Sequence, residues 1–389
     1  MINFRFLCPT EMIFGKNVQQ TVGEETKKYG TKVLLHYGSG HIKKSGLYNQ
    51  VVTSLKEAGV DVVELGSVQP NPRLSLVYEG IRLCRENGVD FILAVGGGSV
   101  IDSAKGIALG VKYDGDVWDL YTKGVEAAEA LPVGVVLTIP AAGSESSQSS
   151  VITNVETGDK RPCDSDILRP KFAFMNPELT YSLPPYQTAC GASDIMAHIM
   201  ERYFTRAENV ELTDRLCEAT LKTIIGNVPA VLADPENYAA RAEIMWAGSI
   251  AHNDLLGTGR IGDWASHMIE HELSGINDVA HGAGLAIIFP AWMRYVYKQD
   301  VNRFAQFAAR VWNVEMDYFD PEKTALAGID AIKAFFRSIG LPVTLSEIGI
   351  TPAHYERISS NCRRTSEDVV GSFVPLKSSD IVEILKLAQ

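Results

Sequence analysis

The spacing of apolar and polar residues divides the chain into two regions. Up to about residue 180, short apolar runs such as Lys32–Tyr37 and Asp90–Val95 alternate with segments of helical period. This alternation predicts a doubly wound parallel sheet covered by helices on both faces. Beyond Pro184-Pro185 only the helical period remains, in segments 188–205, 210–232, 235–255, 263–273, 281–296, 301–311, 324–339 and 378–388. We therefore expect an α/β domain over 1–183 and an all-helical domain over 184–389.

The N-terminal segment predicts an edge hairpin. Residues 3–14 look like two short strands around a turn at Pro9-Thr10. A terminal hairpin leaves an unpaired edge that seeks another strand, so we expect a homodimer formed through this segment.

Two glycine-rich loops follow predicted strands, at the edge where parallel sheets bind ligands. They are Gly38-Ser39-Gly40 and Gly96-Gly97-Gly98-Ser99. Glycines allow the backbone to approach a pyrophosphate, whose charge then faces free N–H groups and a helix N-terminus. Neither loop completes Gly-x-Gly-x-x-Gly, so a tight turn without a ligand stays an alternative. We interpret the two loops as a dinucleotide site.

The residues around the first loop favour a phosphorylated cofactor. Ser39, followed by Lys43 and Lys44, offers a hydroxyl and cations, and we find no acidic residue at the second-strand position that would bind a ribose 2′-hydroxyl. This chemistry suits a 2′-phosphate and predicts NADP(H) in preference to NAD(H), although a surface lysine pair is often merely solvated. Lys160, after a predicted turn, could reach a ribose or a phosphate.

Histidines cluster in the helical region. Asp194 and His198 are four residues apart, as are His267 and His271, so each pair shares one helix face. His281 is followed by Gly-Ala-Gly, which allows close backbone approach. Imidazole with carboxylate suits Zn²⁺ or Fe²⁺ and suits Ca²⁺ or Mg²⁺ poorly. Two alternatives remain: ordinary core histidines, and the inverted zinc protease pattern in His267-Met-Ile-Glu-His271, against which the glycine loops argue.

Composition narrows the classes of partner. The chain has 389 residues and a formal net charge of −11, which argues against nucleic acid or an anionic membrane as the main partner. Its six cysteines form no Cys-x-x-Cys pair and indicate reduced thiols in a cytoplasmic protein. The N-terminus lacks the pattern of a signal peptide, and the apolar-leaning stretch 91–111 carries Asp102 and Lys105, so we expect no membrane span.

Taken together, the motifs resemble those of the iron-containing (group III) alcohol dehydrogenases over essentially the whole chain. They are Gly97-Gly-Ser-Val-Ile-Asp-Ser-Ala-Lys, Gly143-Ser-Glu, Asp194-x-x-x-His198, His267-x-x-x-His271 and His281-Gly-x-Gly. Tyr37-Gly-Ser-Gly-His-Ile-Lys-Lys resembles the NADP(H)-dependent butanol dehydrogenase or aldehyde reductase branch. Ala141-Ala142 departs from the hydroxyl-bearing family pattern, which puts individual contacts of that loop in doubt.

The resemblance implies a fold, a site and an activity. It implies a Rossmann-like domain followed by a helical domain, as in the dehydroquinate synthases, with the site in the cleft between them. One Fe²⁺ or Zn²⁺ would be held by Asp194, His198, His267 and His281. The matching cofactor positions are Gly38, Ser39, Lys43, Gly97, Gly98, Ser99, Asp102, Thr138 and Lys160. His271 and Asp102 are the candidate catalytic residues, and each has a merely structural alternative.

The expected activity is the interconversion of primary alcohols and aldehydes, of the butanol and butanal type, with NADP(H). A dehydroquinate synthase-like lyase would need a basic pocket, but residues 240–290 contain only Arg241 and Arg260 besides histidine. A zinc protease would cleave peptides without a nucleotide. A nucleotide sensor without metal is the remaining alternative, and the intact ligand set argues against it.

Overall fold

The chain forms two compact units. The computed structural model describes residues 1–362 and 368–389. One unit consists of residues Leu7–Ser182, and the other of Leu183–Gln389 together with Met1–Phe6.

The first unit contains a six-stranded parallel sheet. Its strands are β1 (Glu11–Phe14), β2 (Lys32–Tyr37), β3 (Asp61–Leu65), β4 (Phe91–Gly96), β5 (Val133–Leu137) and β8 (Phe172–Met175). Among the described residues their order across the sheet is β1-β8-β5-β4-β2-β3. Strands β4, β5 and β8 are buried at every position, because helices cover both faces of such a sheet. The predicted doubly wound architecture is confirmed.

Helices connect these strands. They are α1 (Val22–Lys27), α2 (His41–Lys44), α3 (Leu47–Glu57), α4 (Leu74–Asn87), α5 (Gly98–Lys112) and α6 (Val117–Thr122). Helix α5 begins at Gly98, within the glycine loop, so Gly97 alone separates it from β4. This agrees with the predicted order of strand, glycine loop and helix.

An antiparallel hairpin lies outside the main sheet and was not predicted. It pairs β6 (Ser149–Asn154) with β7 (Asp159–Asp164). Its strands are rich in serine and charged residues, so they lack the apolar run of a buried strand. Contacts with α5 stabilise it instead: the Ser150 hydroxyl donates to the Asp102 carbonyl, and the Val151 N–H donates to the Asp102 carboxylate.

The prediction of a terminal hairpin is wrong. Residues 1–10 contain no strand, and β1 alone joins the sheet, parallel to β8. The first residues extend along the helical unit, where the Ile2 N–H donates to the Gly259 carbonyl at 3.0 Å. Strand β1 thus pairs with β8 and not with the residues that precede it in the chain.

The second unit is helical, and its described residues contain no strand longer than the single bridge between Val370 and Leu376. Its helices are α7 (Pro185–Tyr203), α8 (Glu211–Ala233), α9 (Tyr238–His252), α10 (Ala265–Asn277), α11 (His281–Val296), α12 (Val301–Trp312), α13 (Pro321–Ser338), α14 (Tyr355–Asn361) and α15 (Ser378–Leu387). Helix α11 forms the centre of this unit, since every residue from Gly282 to Met293 is buried.

Helix α8 is long and apolar enough, by length and composition alone, to cross a membrane, with a mean hydropathy of 1.2. Its polar contacts show a different role. The buried Asp214 carboxylate on α8 lies 2.8 Å from the Arg260 guanidinium and 2.7 Å from that of Arg303. Buried ion pairs to neighbouring elements are typical of a helix packed inside a protein unit.

Candidate active site

The structure brings Asp194, His267 and His281 together. Asp194 Oδ1 lies 4.0 Å from His267 Nε2 and 3.7 Å from His281 Nε2. Ligand atoms of these three residues all lie within 4.8 Å of one another. His198 does not belong to that set, although its ring centroid lies 4.6 Å from that of His267. Three of the four predicted ligands thus surround one point, with the fourth adjacent.

A partner at Nδ1 fixes the tautomer of His198, His267 and His281. His198 Nδ1 donates to the Asp194 carbonyl at 2.9 Å. His267 Nδ1 donates to Glu201 at 2.8 Å, and His281 Nδ1 donates to Glu270. Because the proton is on Nδ1 in every case, each Nε2 carries a lone pair that can coordinate a metal.

Two buried carboxylates, Glu201 and Glu270, therefore orient metal-facing imidazoles, and neither was predicted. Glu201 also accepts hydrogen bonds from the backbone N–H groups of His267 and Trp264, at 3.1 and 2.6 Å. Glu270 also accepts from the Ser274 hydroxyl. Glu270 is the glutamate of the His-x-x-Glu-His pattern, which in the sequence indicated only a possible zinc protease. Its carboxylate orients His281 instead, which is not the role of a protease general base.

His252 lies beside this group in the opposite tautomer. Its ring centroid is 4.3 Å from that of His198. The Arg202 guanidinium donates to His252 Nδ1 at 2.9 Å, and arginine has no acceptor, so the His252 proton is on Nε2. His252 therefore presents an N–H donor where the other three histidines present a lone pair. This contrast distinguishes a neighbouring histidine from a ligand.

A divalent metal fits the donor set. His267 Nε2 is buried and has no hydrogen-bond partner among residues 1–362 and 368–389. Burial, reinforced by the neighbouring histidines, holds the pKa of His267 well below its ordinary value, so the ring is neutral. A neutral buried nitrogen beside a carboxylate suits Fe²⁺ or Zn²⁺. The His281 side chain is 23% exposed, which leaves one side of the group open to a substrate.

His271, the candidate proton relay, lies close to this group. It is buried, and its ring centroid is 5.5 Å from that of His281. It also belongs to a second potential ligand set with Glu270 and His281. Glu270 already accepts the Nδ1 proton of His281. We therefore interpret the second set as residues that orient His281, and the first set as the metal ligands.

In the sheet unit, the two glycine loops are neighbours. Strand β2 pairs with β4 on one side and with β3 on the other, so the direction of strand addition reverses between β2 and β4. Ligands of doubly wound sheets bind at such a reversal, beyond the carboxyl ends of the strands. Gly38-Ser39-Gly40 follows β2, Gly96-Gly97-Gly98 follows β4, and Thr138 follows β5.

The start of α5 lies close to the chain that follows β5. The first residue before the helix, Gly97, provides no side-chain cap, and a Cβ there would approach Ile139 to 2.9 Å. A Cβ on Gly98 would lie 3.1 Å from the Ala142 side chain, so the loop after β5 passes close to this helix end. A side chain at Gly97 would force Ile139 to shift, and one at Gly98 would make a tight contact with Ala142, so glycine fits both positions best.

A fully buried lysine holds the loop after β5. The Lys105 ammonium donates to the carbonyls of Ser144, Ser147 and Ser149 at 2.7 to 2.9 Å, and burial lowers its pKa to about 8. Asp102 accepts from the Ser144 hydroxyl at 2.6 Å, and burial raises the pKa of that carboxyl. Lys160, on β7, is also buried. Lys105 is the last residue of the motif that begins at Gly97, but the sequence did not predict that it binds the loop after β5.

The prediction that no acidic residue stands at the second-strand position is wrong. Glu64 is the penultimate residue of β3, the strand beside β2. Its carboxylate accepts from the Tyr37 hydroxyl at 3.0 Å and lies 3.6 Å from the ammonium of Lys43. Glu64 is visible in the sequence as the acidic residue near the end of Asp61-Val-Val-Glu64-Leu.

Two protein-family models together match most of the chain. The model described as iron-containing alcohol dehydrogenase matches residues 9–177, and the model of the C-terminal part of the Fe-containing alcohol dehydrogenase family matches 188–389. The chain belongs to the iron-containing alcohol dehydrogenase family. This alcohol dehydrogenase is therefore an oxidoreductase that interconverts alcohols and aldehydes with a nicotinamide cofactor and a divalent metal.

Relatives of this alcohol dehydrogenase have been named for both cofactors. A probable NADH-dependent butanol dehydrogenase of Bacillus subtilis is 46% identical over 387 residues and covers 99% of each chain. The NADPH-dependent aldehyde reductase YqhD of Escherichia coli is 41% identical over 356 residues and covers 90% of each. The crystal structure of an NADH-dependent butanol dehydrogenase A of Thermotoga maritima matches with a TM-score of 0.96, at 40% identity, covering 100% of this chain and 99% of that one.

Proposed function

We propose that this alcohol dehydrogenase reduces primary aldehydes of the butanal type, and oxidises the corresponding alcohols, with NADP(H) and one Fe²⁺ or Zn²⁺ ion. The observation that carries the proposal is the shared tautomer of His198, His267 and His281, which leaves three lone pairs around Asp194. The names of the relatives support the substrate class.

The metal is proposed to bind to Asp194, His198, His267 and His281. When bound, the metal would supply a Lewis acid for the substrate oxygen and the nicotinamide would supply the hydride. Glu201 orients the imidazole of His267, and Glu270 orients that of His281. His281, which is partly exposed, borders the side from which a substrate can enter.

The nucleotide is proposed to bind along the two glycine loops, at Gly38, Ser39, Lys43, Gly97, Gly98, Ser99, Asp102, Thr138 and Lys160. The start of α5 offers N–H groups to a pyrophosphate, and Lys43 offers a cation to a 2′-phosphate, which supports NADP(H). Relatives named for NADH show that the preference must be measured.

We assign proton transfer to His271, because it is a buried imidazole beside His281. Asp102 is proposed to assist by ordering the loop at Ser144, since its carboxylate binds that hydroxyl.

The oligomer and the compartment are also proposals. Ile2, Phe4 and Phe6 are exposed apolar residues in the N-terminal segment, and we propose that they form a homodimer contact. Deleting residues 1–7 should then reduce the molecular mass measured by light scattering, and an unchanged mass would contradict this assignment. The cysteines all lie in the described part of the chain and form no disulfide with one another, which supports a cytoplasmic location.

The function is tested by NADPH oxidation with butanal on metal-stripped protein, before and after adding Fe²⁺ or Zn²⁺, with NADH in parallel. We expect activity only with metal, and its loss in His281→Gln. His354→Gln removes a half-buried histidine of the short turn at Thr351, far along the chain from the proposed ligands, and serves as the control. Nucleotide binding without metal-dependent turnover would refute the dehydrogenase mechanism, whereas equal use of NADH would refute only the cofactor preference.

A further inference from the structure

Glu64 lies at the centre of a half-exposed polar cluster formed with Tyr37, Lys43 and Tyr48. Its carboxylate accepts hydrogen bonds from both phenols and pairs with the Lys43 ammonium at 3.6 Å. That ammonium also lies 5.0 Å from the Tyr37 ring centroid and 4.6 Å from that of Tyr48. The side chains of Lys43 and Glu64 are 48% and 41% exposed, so a ligand can reach both charges.

The cluster is continuous with the first glycine loop. Tyr37 is the last residue of β2, and the Ser67 N–H, just after β3, donates to the Gly38 carbonyl at 3.1 Å. A Cβ on Gly66 would lie 2.6 Å from the Tyr37 ring, so the absence of a side chain there lets the ring pack in place. Glu64 is therefore held at the edge of the loop where the adenosine ribose of a dinucleotide would lie.

The two charges favour different cofactors. A carboxylate at the end of the neighbouring strand accepts hydrogen bonds from a ribose 2′-hydroxyl and repels a 2′-phosphate. A lysine attracts the 2′-phosphate. Here the same carboxylate also holds the lysine, so a 2′-phosphate must compete with Glu64 for Lys43. The hydrogen bond from Tyr48 lowers the pKa of Glu64, which keeps this carboxylate ionised near neutral pH.

We infer that Glu64 is a specificity-determining residue, which limits the preference for the 2′-phosphorylated cofactor through its negative charge. This inference rests on the proposed nucleotide site. It explains how Ser39 and Lys43 can stand in a chain whose relatives are named for NADH as well as for NADPH.

The test compares Glu64→Gln, which keeps a hydrogen-bonding side chain but removes the charge, with the parent protein. Binding of NADPH and NADH is measured by nucleotide fluorescence, together with kcat and KM for each. We expect the NADPH-to-NADH ratio of kcat/KM to rise about five- to tenfold, through KM and not kcat, as for the loss of one exposed repulsive charge. Lys43→Gln should move the ratio in the opposite direction.

Two controls separate charge from structure. Glu57→Gln removes an exposed charge at the end of α3 and should leave the ratio unchanged. Glu64→Asp keeps the charge and should stay within about twofold of the parent, because electrostatic repulsion of the 2′-phosphate falls slowly over such a displacement. An unchanged ratio in Glu64→Gln, or an equal shift in Glu64→Asp, would overturn the inference while leaving the proposed function intact. A parent protein that binds neither dinucleotide would overturn both.

Discussion

Gly282 controls how closely two ligand-bearing helices approach. It follows His281 on α11 and faces the backbone of Cys190, four residues before Asp194 on α7. A Cβ built on Gly282 would lie 1.9 Å from the Cys190 carbonyl oxygen, which is 1.5 Å less than the 3.4 Å at which ordinary van der Waals contact begins. Since that neighbour is backbone, Gly282→Ala requires α7 and α11 to move apart.

The displacement should affect both stability and metal binding. Overpacking of a buried contact costs about 1–3 kcal/mol of unfolding free energy. Asp194 Oδ1 and His281 Nε2 are now 3.7 Å apart. Ligands of one tetrahedral Zn²⁺ ion lie about 3.4 Å apart, given bonds of about 2.1 Å. A separation increased by more than about 1 Å would therefore prevent both groups from binding the same ion.

The assay measures metal content by mass spectrometry, metal affinity against a coloured chelator, and the urea midpoint. We expect Gly282→Ala to unfold at lower urea concentration and to bind metal at least about tenfold more weakly. Gly226→Ala is the matched control, because Gly226 is an exposed residue within α8, and a Cβ added there would have no atom within 4 Å. That substitution should be neutral or stabilise by up to about 1 kcal/mol. Parent-like metal affinity and stability in Gly282→Ala would refute the packing argument.

Three further predictions concern buried polar groups. Glu270→Gln should weaken metal binding about 10- to 100-fold in a chelator competition, with Ser274→Ala, which retains the carboxylate, as a milder control. Burial lowers the pKa of His36 to about 4 from 6.5, so the unfolded chain binds a proton in this window and the folded protein does not. The parent protein should therefore lose stability as the pH falls from 6.5 to 4. The difference in unfolding free energy between the parent and the non-titrating variant His36→Gln, measured with urea, should shrink by about 3 kcal/mol over this range. Lys105→Met should lower stability by about 3 kcal/mol or more, because buried carbonyls lose their donor, whereas exposed Lys112→Met should change the urea midpoint little.

Local patterns in the sequence predicted much of the fold. The apolar runs of β2, β4 and β5 and the helical period from α7 to α13 each depend on residues close together in the chain. The i, i+4 spacing of Asp194 with His198 likewise predicted that both lie on one helix. The glycine after His281 predicted a close backbone approach, and the contact with Cys190 is such an approach.

The groups that were missed depend on tertiary contacts. Glu201 binds His267 across 66 residues, and Lys105 binds the loop around Ser144 across 39. No periodicity connects such positions. The β6–β7 hairpin was missed for a related reason, since its strands are largely polar and contact Asp102 on α5, which is distant in the sequence.

The orienting partners also explain why clustering alone could not identify the ligands. The ring centroids of His252 and His267 lie 4.3 and 4.6 Å from that of His198, so distance alone does not show which of the two is a metal ligand. Their Nδ1 partners differ in chemistry: an arginine donates to His252, whereas a carboxylate accepts from His267. The first leaves a proton on Nε2 and the second leaves a lone pair there. The distinction between a ligand and its neighbour thus lies in residues outside the histidine cluster, and three-dimensional contacts are required to recognise it.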